Sequence, residues 1–493
     1  MTVPPDTAPG TRPPGGGLRT TSPVAGLARR RLGPAGVLAQ SVSATAPAAA
    51  MATSPALVMG AGGGPPSALA YLAATVVVLL VSSCVAQFSR RMVAPGSLYS
   101  FTAKGLGGSA ALVSGGSLVV GYGFLVAGAL TGAALSAVAL LAPLVGPGPV
   151  PTALAVVLGG VLVVGFALRG VGISARLALA LEVGSIGVVG AVLVLLVTRT
   201  AGSLDGSRLL AGAVGGGWDP FGGGAEGVLL AVTAFVGFES ACAVGAEARR
   251  PFVVVPRAVR WTALGAGSLY VLSSAAQGIV FAAAPAGGGP LPLVSVAVER
   301  AGPVAASALE LGVLASFLGC ATGSLTALVR LLFSMGREGV LPASLGRTGA
   351  RGTPSTALLP SGAAAVAVPV AVLATGVAGQ DALRGLLVVG TCGYLAGYVL
   401  LCVATPVFLH RIGELTALAV VVAAVATAGL TGVLAACAAW AVAAGGGWVL
   451  TAVGLLAATV AGAVVLRVRR PAVVARVGLY DETRRQDVLG GRG

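Results

Sequence analysis

The sequence predicts an all-α integral membrane protein with twelve transmembrane helices, and three observations carry that expectation. Of the 493 residues, 56% are hydrophobic and only 9% charged, and mean hydropathy is +0.97. A soluble domain needs about a quarter charged residues, and a disordered chain needs low hydrophobicity. The apolar residues also come in runs such as Ala68–Ala86, Val150–Leu168 and Ala417–Ala444. Each reaches or approaches the roughly 20 residues that cross hydrocarbon as a helix. Finally, the cations sit in short segments between those runs rather than on one face of a folded domain.

Hydropathy and Gly/Pro breaks place the first six spans near 34–59, 66–88, 109–142, 150–168, 174–198 and 225–247. The other six fall near 258–284, 301–335, 356–377, 383–409, 413–443 and 448–468. With the N-terminus cytoplasmic, the inner segments hold all but four of the 30 Lys and Arg. The exceptions are Arg199, Arg208, Arg300 and Arg384, which lie near Asp205, Asp219, Glu299 and Asp381. The positive-inside rule therefore predicts a multi-pass protein of the cell membrane with both termini cytoplasmic.

Residues 1–33 read as a disordered cytoplasmic tail, because the Pro/Gly/Thr-rich start lacks the order of a signal peptide. Residues 199–224 read as an extracellular loop, 410–468 as helices 11 and 12, and 469–493 as a cytoplasmic C-terminal tail. The net charge of +15 is a topology signal, and no nucleic-acid partner is expected. The six Cys form no CxxC pair and the chain has one His, so neither a metal nor another cofactor is expected.

Two spans make poor continuous helices. The first contains Gln40-Ser-Val-Ser-Ala-Thr-Ala-Pro47, then Pro55. Pro47 removes a backbone donor and clashes with the preceding turn, freeing carbonyls near Ser43. The sixth contains Thr233-Ala-Phe-Val-Gly-Phe-Glu239, where Gly237 permits unwinding and Glu239 is an ionisable group in an apolar run. In lipid, freed backbone is tolerated only when buried in protein or lining a cavity. The breaks open the first and sixth spans, and five is odd, so the second block of five enters the membrane from the opposite side. Segments 34–198 and 225–409 thus read as a 5+5 inverted repeat with discontinuous helices 1 and 6, the plan of many secondary transporters.

Four ordered motifs resemble bacterial amino acid permeases of the amino acid–polyamine–organocation (APC) superfamily. They are Ser43–Pro47 with Gly60–Pro65; Ser89–Tyr99 with Lys104–Gly107; Phe235–Glu239 with Gly245–Glu247 and Pro256–Ala258; and Arg330–Pro342 with Thr353-Pro354. The likeness covers roughly residues 34–410. It implies the leucine-transporter-type fold and a permease rather than an enzyme: a secondary active transporter of an amino acid or related amine, usually driven by protons or by exchange. Unwound carbonyls are then expected to hold the ammonium group, and half-helix N-termini the carboxylate. The chain departs from the family at Ala246, where an acid is usual, and at Glu338, where Asp is usual. It also lacks the fifth-span Lys of some proton-coupled relatives, so proton, sodium or exchange coupling stays open.

The substrate-binding candidates are Ser43, Ala44, Thr45 and Ala46 at the first break, Phe235, Val236, Gly237 and Phe238 at the second, and Tyr122 from the third span. The coupling or gating candidates are Glu239, Glu182 and Ser324. Glu239 reads either as a proton carrier or cap for freed backbone, or as a structural acid hydrogen-bonded to neighbouring segments. Glu182 reads as a coupling group or as a structural or cytoplasm-facing acid. Ser324 lies on a small-residue face that either packs closely or offers a hydroxyl resembling the sodium-site hydroxyls of this fold. Glu310 is expected to snorkel to the outer interface, and Arg330 to act first as an orientation signal. The implied partners are a small-molecule amino acid or amine, a coupling proton and membrane lipid. The alternatives are a transport-like sensor, a channel without coupled flux, or a membrane-embedded transferase; the last needs paired carboxylates or His that the spans lack.

Overall fold

Long apolar runs leave little choice but helix, because in lipid every backbone polar group must be satisfied within the protein. The computed structural model describes residues 26–27, 29–62, 67–207, 211, 224–283, 292–349, 352–444 and 446–478. Among them helix dominates, and Leu32 and Ala248 pair as an isolated β-bridge. Ten helices are long and apolar enough to cross a membrane. These are α3 (Ser67–Ser89), α5 (Gly108–Leu140), α6 (Pro149–Leu168), α7 (Val171–Thr200) and α9 (Pro251–Ala283), followed by α11 (Pro303–Glu338), α12 (Ser355–Ala374), α13 (Gly379–Arg411), α14 (Ala417–Ala444) and α15 (Gly447–Arg469). The protein is a multi-pass membrane protein.

Two further stretches are interrupted, at the positions where the sequence places breaks. Helix α1 (Pro34–Thr45) stops at Ala46, whose φ of 49° is left-handed, and α2 (Pro47–Gly62) restarts at once. A left-handed non-glycine costs roughly 1–2 kcal/mol, so the surrounding contacts must hold it there. Helix α8 (Gly224–Thr233) gives way to turns over 234–239 and then to an eight-residue 3-10 segment, Ser240–Glu247. That length is unusual for 3-10 geometry, and the sequence shows no sign of it.

Helices α5 and α13 form the centre: 67% and 72% of their most apolar stretches are buried, against 17% for α14 and α15. Helix α5 packs on both α11 and α13, while α9 packs on α3 and α11 on α7. Two short helices were not expected. Helix α4 (Leu98–Leu106) lies in the loop after α3, and α10 (Pro292–Ala301) precedes α11. Both are too short to span hydrocarbon and give no hydropathy signal of their own.

The tails are more engaged than their composition suggests. Residues 29–33 are not free: Arg30 and Leu32 donate backbone bonds to Ala246 and Glu247, and Arg249 donates to Leu32. Burial of Leu27 and Leu32 accounts for this ordering. Beyond α15, Val474 is buried and the Gly478 N–H donates to Glu338 Oε1 at 2.9 Å. The remaining parts of both tails, and most of the 199–224 loop including Arg208 and Asp219, lie outside the described residues.

Arg330 overturns its reading as an orientation signal. Its side chain is 1% exposed and pairs with Glu247, with Nε at 3.0 Å and Nη2 at 2.5 Å from Oε1. The pair ties α11 to the end of the 3-10 segment, and Leu32 bonds the backbone of the same Glu247. Removing one partner of a buried pair strands the other charge and costs about 3–5 kcal/mol, whereas an exposed pair contributes below about 1 kcal/mol. Arg330→Met is therefore expected to lower the unfolding temperature in detergent far more than Arg91→Met, which breaks the exposed Arg91–Glu414 pair and local bonds to Gln87 one turn away.

Candidate functional site

The two interruptions meet. A Cβ on Gly237, which has φ +97°, would stand 2.8 Å from the Ala44 carbonyl oxygen. One on Gly323 of α11 would stand 2.8 Å from the Ala44 backbone nitrogen. Three backbones thus converge on Ala44, which explains why glycine occupies both positions.

Freed backbone groups at the breaks are met by side chains from other elements. With Pro47 lacking an N–H, the first donors of α2 are those of Ala48 and Ala49. Ala48 donates to Glu182 Oε1 at 2.8 Å and Ala49 to Ser316 Oγ at 3.0 Å, and Ser316 in turn donates to the same Glu182 oxygen at 2.9 Å. The Ala44 carbonyl accepts from Cys320 Sγ at 3.1 Å. Pro55 cannot donate to Met51, and the Met51 carbonyl accepts instead from Ser273 at 2.6 Å and Gln277 at 2.5 Å. Across the breaks, Ser41 donates to the Phe238 carbonyl at 2.7 Å and accepts from Ala241 N–H at 3.0 Å. Gln40 reaches the Gly323 carbonyl at 2.8 Å, and Tyr270 the Ala234 carbonyl at 2.7 Å.

Glu239 sits at the end of the second break, fully buried. Tyr122 of α5 donates to its Oε1 at 2.7 Å, and Tyr398 of α13 to its Oε2 at 2.5 Å. The ring of Tyr394 stands edge-on to Tyr122, with centroids 4.8 Å apart, and its hydroxyl has no partner. One carboxylate therefore joins the turn to both central helices.

Beside the breaks lies a cavity of about 50 Å³, room for a few waters. Of the sequence candidates, Ala44, Thr45, Ala46 and Val236 line it. Ser43, Phe235, Gly237, Phe238, Tyr122, Glu239, Glu182 and Ser324 are buried nearby without lining it. Phe235 packs against Tyr270 with centroids 4.9 Å apart, Ser43 Oγ has no partner, and Ser324 Oγ lies 4.0 Å from Cys320 Sγ. Wall residues that are not among the sequence candidates include Thr53, Leu125, Leu230, Thr233, Phe317 and Cys320. Leu125 and Ala129 share one face of α5 at helical spacing, but periodicity alone cannot say that the face meets a cavity. No charged side chain lines the cavity among the described residues.

Two expectations change. The N–H groups that open α2 are already bonded to Glu182 and Ser316, so this half-helix N-terminus is not free for a carboxylate. Glu310 does not snorkel: it is 5% exposed, and its Oε2 has no partner. It lies within α11, inside a helix bundle that covers it.

A family model for amino acid permeases matches residues 33–414. The chain belongs to the amino acid permeases. That match spans both interruptions and the elements that meet there. No curated protein matches the permease chain.

The close approach at Ala44 is testable by stability. Gly237→Ala forces a positive φ on alanine, costing roughly 1–2 kcal/mol, and adds a contact with backbone. It is expected to lower the unfolding temperature clearly in detergent. Gly165→Ala, where nothing lies within 4 Å of the new Cβ, is expected to be neutral or stabilising by about 1 kcal/mol.

Proposed function

We propose that this permease is a secondary active transporter that moves an amino acid or related amine across the cell membrane by alternating access, coupled to protons or by exchange. The observation that carries this is the meeting of two interrupted helices at one small cavity within the membrane-spanning bundle. Counting the α1–α2 and α8–3-10 stretches as spans makes twelve with the ten continuous helices. The 34–198 and 225–409 segments then form the inverted repeats, with both termini cytoplasmic.

The site offers a substrate chiefly backbone. Thr45 and Val236, at the two breaks, line the cavity, and backbone carbonyls freed there suit an ammonium group. Apolar walls from Leu125, Leu230 and Phe317 suit an uncharged remainder. A cavity of a few waters is too small for an amino acid, so the walls must part for entry on one side and release on the other. The bonds from Tyr122 and Tyr398 to Glu239 bind the second break to α5 and α13, which places Glu239 to sense such parting. When Glu239 is protonated, it loses the charge that both tyrosines stabilise and takes up a donor proton of its own. Proton binding then favours a different arrangement of the same three elements.

Proteoliposomes offered a panel of labelled amino acids and amines, with and without imposed pH and sodium gradients, test the function. At least one compound is expected to accumulate or exchange; none doing so would end the transporter proposal. In the same vesicles Glu239→Gln is expected to lose gradient-driven accumulation, falling at least tenfold, while retaining exchange of internal for external substrate. Unchanged coupling in Glu239→Gln would leave the residue a structural acid.

A further inference from the structure

A second pocket, of about 260 Å³, lies far from the breaks, at the arginine-rich end of the bundle. It is walled by the end of α3, the first turns of α9, the last turns of α13 and the start of α14. Two guanidinium groups face it, Arg90 just past α3 and Arg260 on α9. Both residues are exposed, and neither guanidinium has a hydrogen-bond or ion-pair partner among the described residues. No acid lines the pocket; the nearby Glu414 is already paired with Arg91. Ser82, Gln87 and Thr405 add polar groups to the floor.

The remaining wall has the opposite chemistry. Leu418 and Val422 of α14 close one side, and Leu418 is 73% exposed. Helix α14 is among the least covered of the spanning helices, so this side faces hydrocarbon. Trp261, next to Arg260, is 66% exposed, as expected for a ring at a membrane boundary. The pocket thus joins two unneutralised cations and hydroxyl groups to an apolar flank that opens laterally to lipid. A soluble anion would use only the first half of that surface. An anionic phospholipid uses both, its phosphodiester on the guanidiniums and an acyl chain along α14.

We propose that this pocket binds the headgroup of an anionic phospholipid, clamping α3, α9 and α14 at that face of the bundle. The proposal needs only that the protein spans a membrane, and it stands or falls independently of what the permease carries. Each arginine near an anionic membrane contributes about 1 kcal/mol, or roughly fivefold in affinity. The test is a titration of purified permease in neutral detergent with short-chain phosphatidylglycerol, phosphatidylcholine, or glycerol phosphate, read by native mass spectrometry and by the unfolding temperature.

Phosphatidylglycerol is expected to bind and to raise the unfolding temperature, with phosphatidylcholine and glycerol phosphate at least tenfold weaker. Arg90→Gln and Arg260→Gln should each weaken it about fivefold, and the double variant by more than tenfold. Arg90→Lys with Arg260→Lys should retain most of the binding, which separates lost charge from lost folding. Equal binding of phosphatidylcholine would overturn the proposal, as would glycerol phosphate binding as tightly as the lipid, which would mark a soluble-anion site. The same loss in Arg249→Gln with Arg250→Gln, two exposed arginines outside the pocket, would also overturn it by showing diffuse attraction to the charged face.

Discussion

In hydrocarbon, a backbone N–H or carbonyl that leaves its helix must find a partner inside the protein. This constraint organises the centre of the permease. Breaking α1 from α2, and α8 from the segment after it, releases groups that no water of the bilayer core can satisfy. The replacements come from three other helices: Glu182 from α7, Ser273 and Gln277 from α9, and Ser316 and Cys320 from α11, while the tyrosines of α5 and α13 hold the Glu239 carboxylate. Each replacement side chain also fixes where its helix stands. The small residues follow from the same demand, since Gly237 and Gly323 let backbones approach Ala44 closely enough for such short side chains to reach.

The far end of the bundle uses charge instead of freed backbone. Arg330 and Glu247 are both nearly inaccessible, and the chain entering α1 bonds to the backbone beside Glu247. Burying two ions is costly unless each is well met; Arg330 is, with Glu247 on one side and the Thr326 carbonyl at 3.1 Å on the other. The pair and the paired N-terminal segment hold the start of the first stretch and the end of the sixth together in this conformation. Any state that opens this end must separate them.

Much of this was legible in the sequence, because hydropathy and helix breakers are local properties. The ten continuous helices begin and end mostly within a few residues of expectation, and both interruptions fall where Pro47 and Gly237 placed them. The partners of the breaks were not legible. Ser41, Ser316 and Ser273 look like ordinary small residues of packed helices until a distant element supplies the group they bond. Glu182 left its role open for the same reason: its partner, Ala48, lies in another helix. Arg330 was misread because an arginine beside a loop normally signals topology, and only the fold shows that Glu247 folds back against it. The 3-10 geometry of Ser240–Glu247 had no signal, since an Ala-rich stretch suits an α-helix equally well.

The central claim is that the two interruptions enclose the cavity through which substrate passes. Thr53 of α2 and Cys320 of α11 both line that cavity, whereas Cys437 of α14 is buried and does not line it. The most direct measurement is the alkylation rate of Cys320, and of Thr53→Cys, by a small thiol reagent in proteoliposomes, with and without saturating transported substrate. The account requires substrate to slow both reactions severalfold and to leave Cys437 unchanged. Labelling of Cys320 and Thr53→Cys at rates indifferent to a substrate that the same vesicles transport would contradict it.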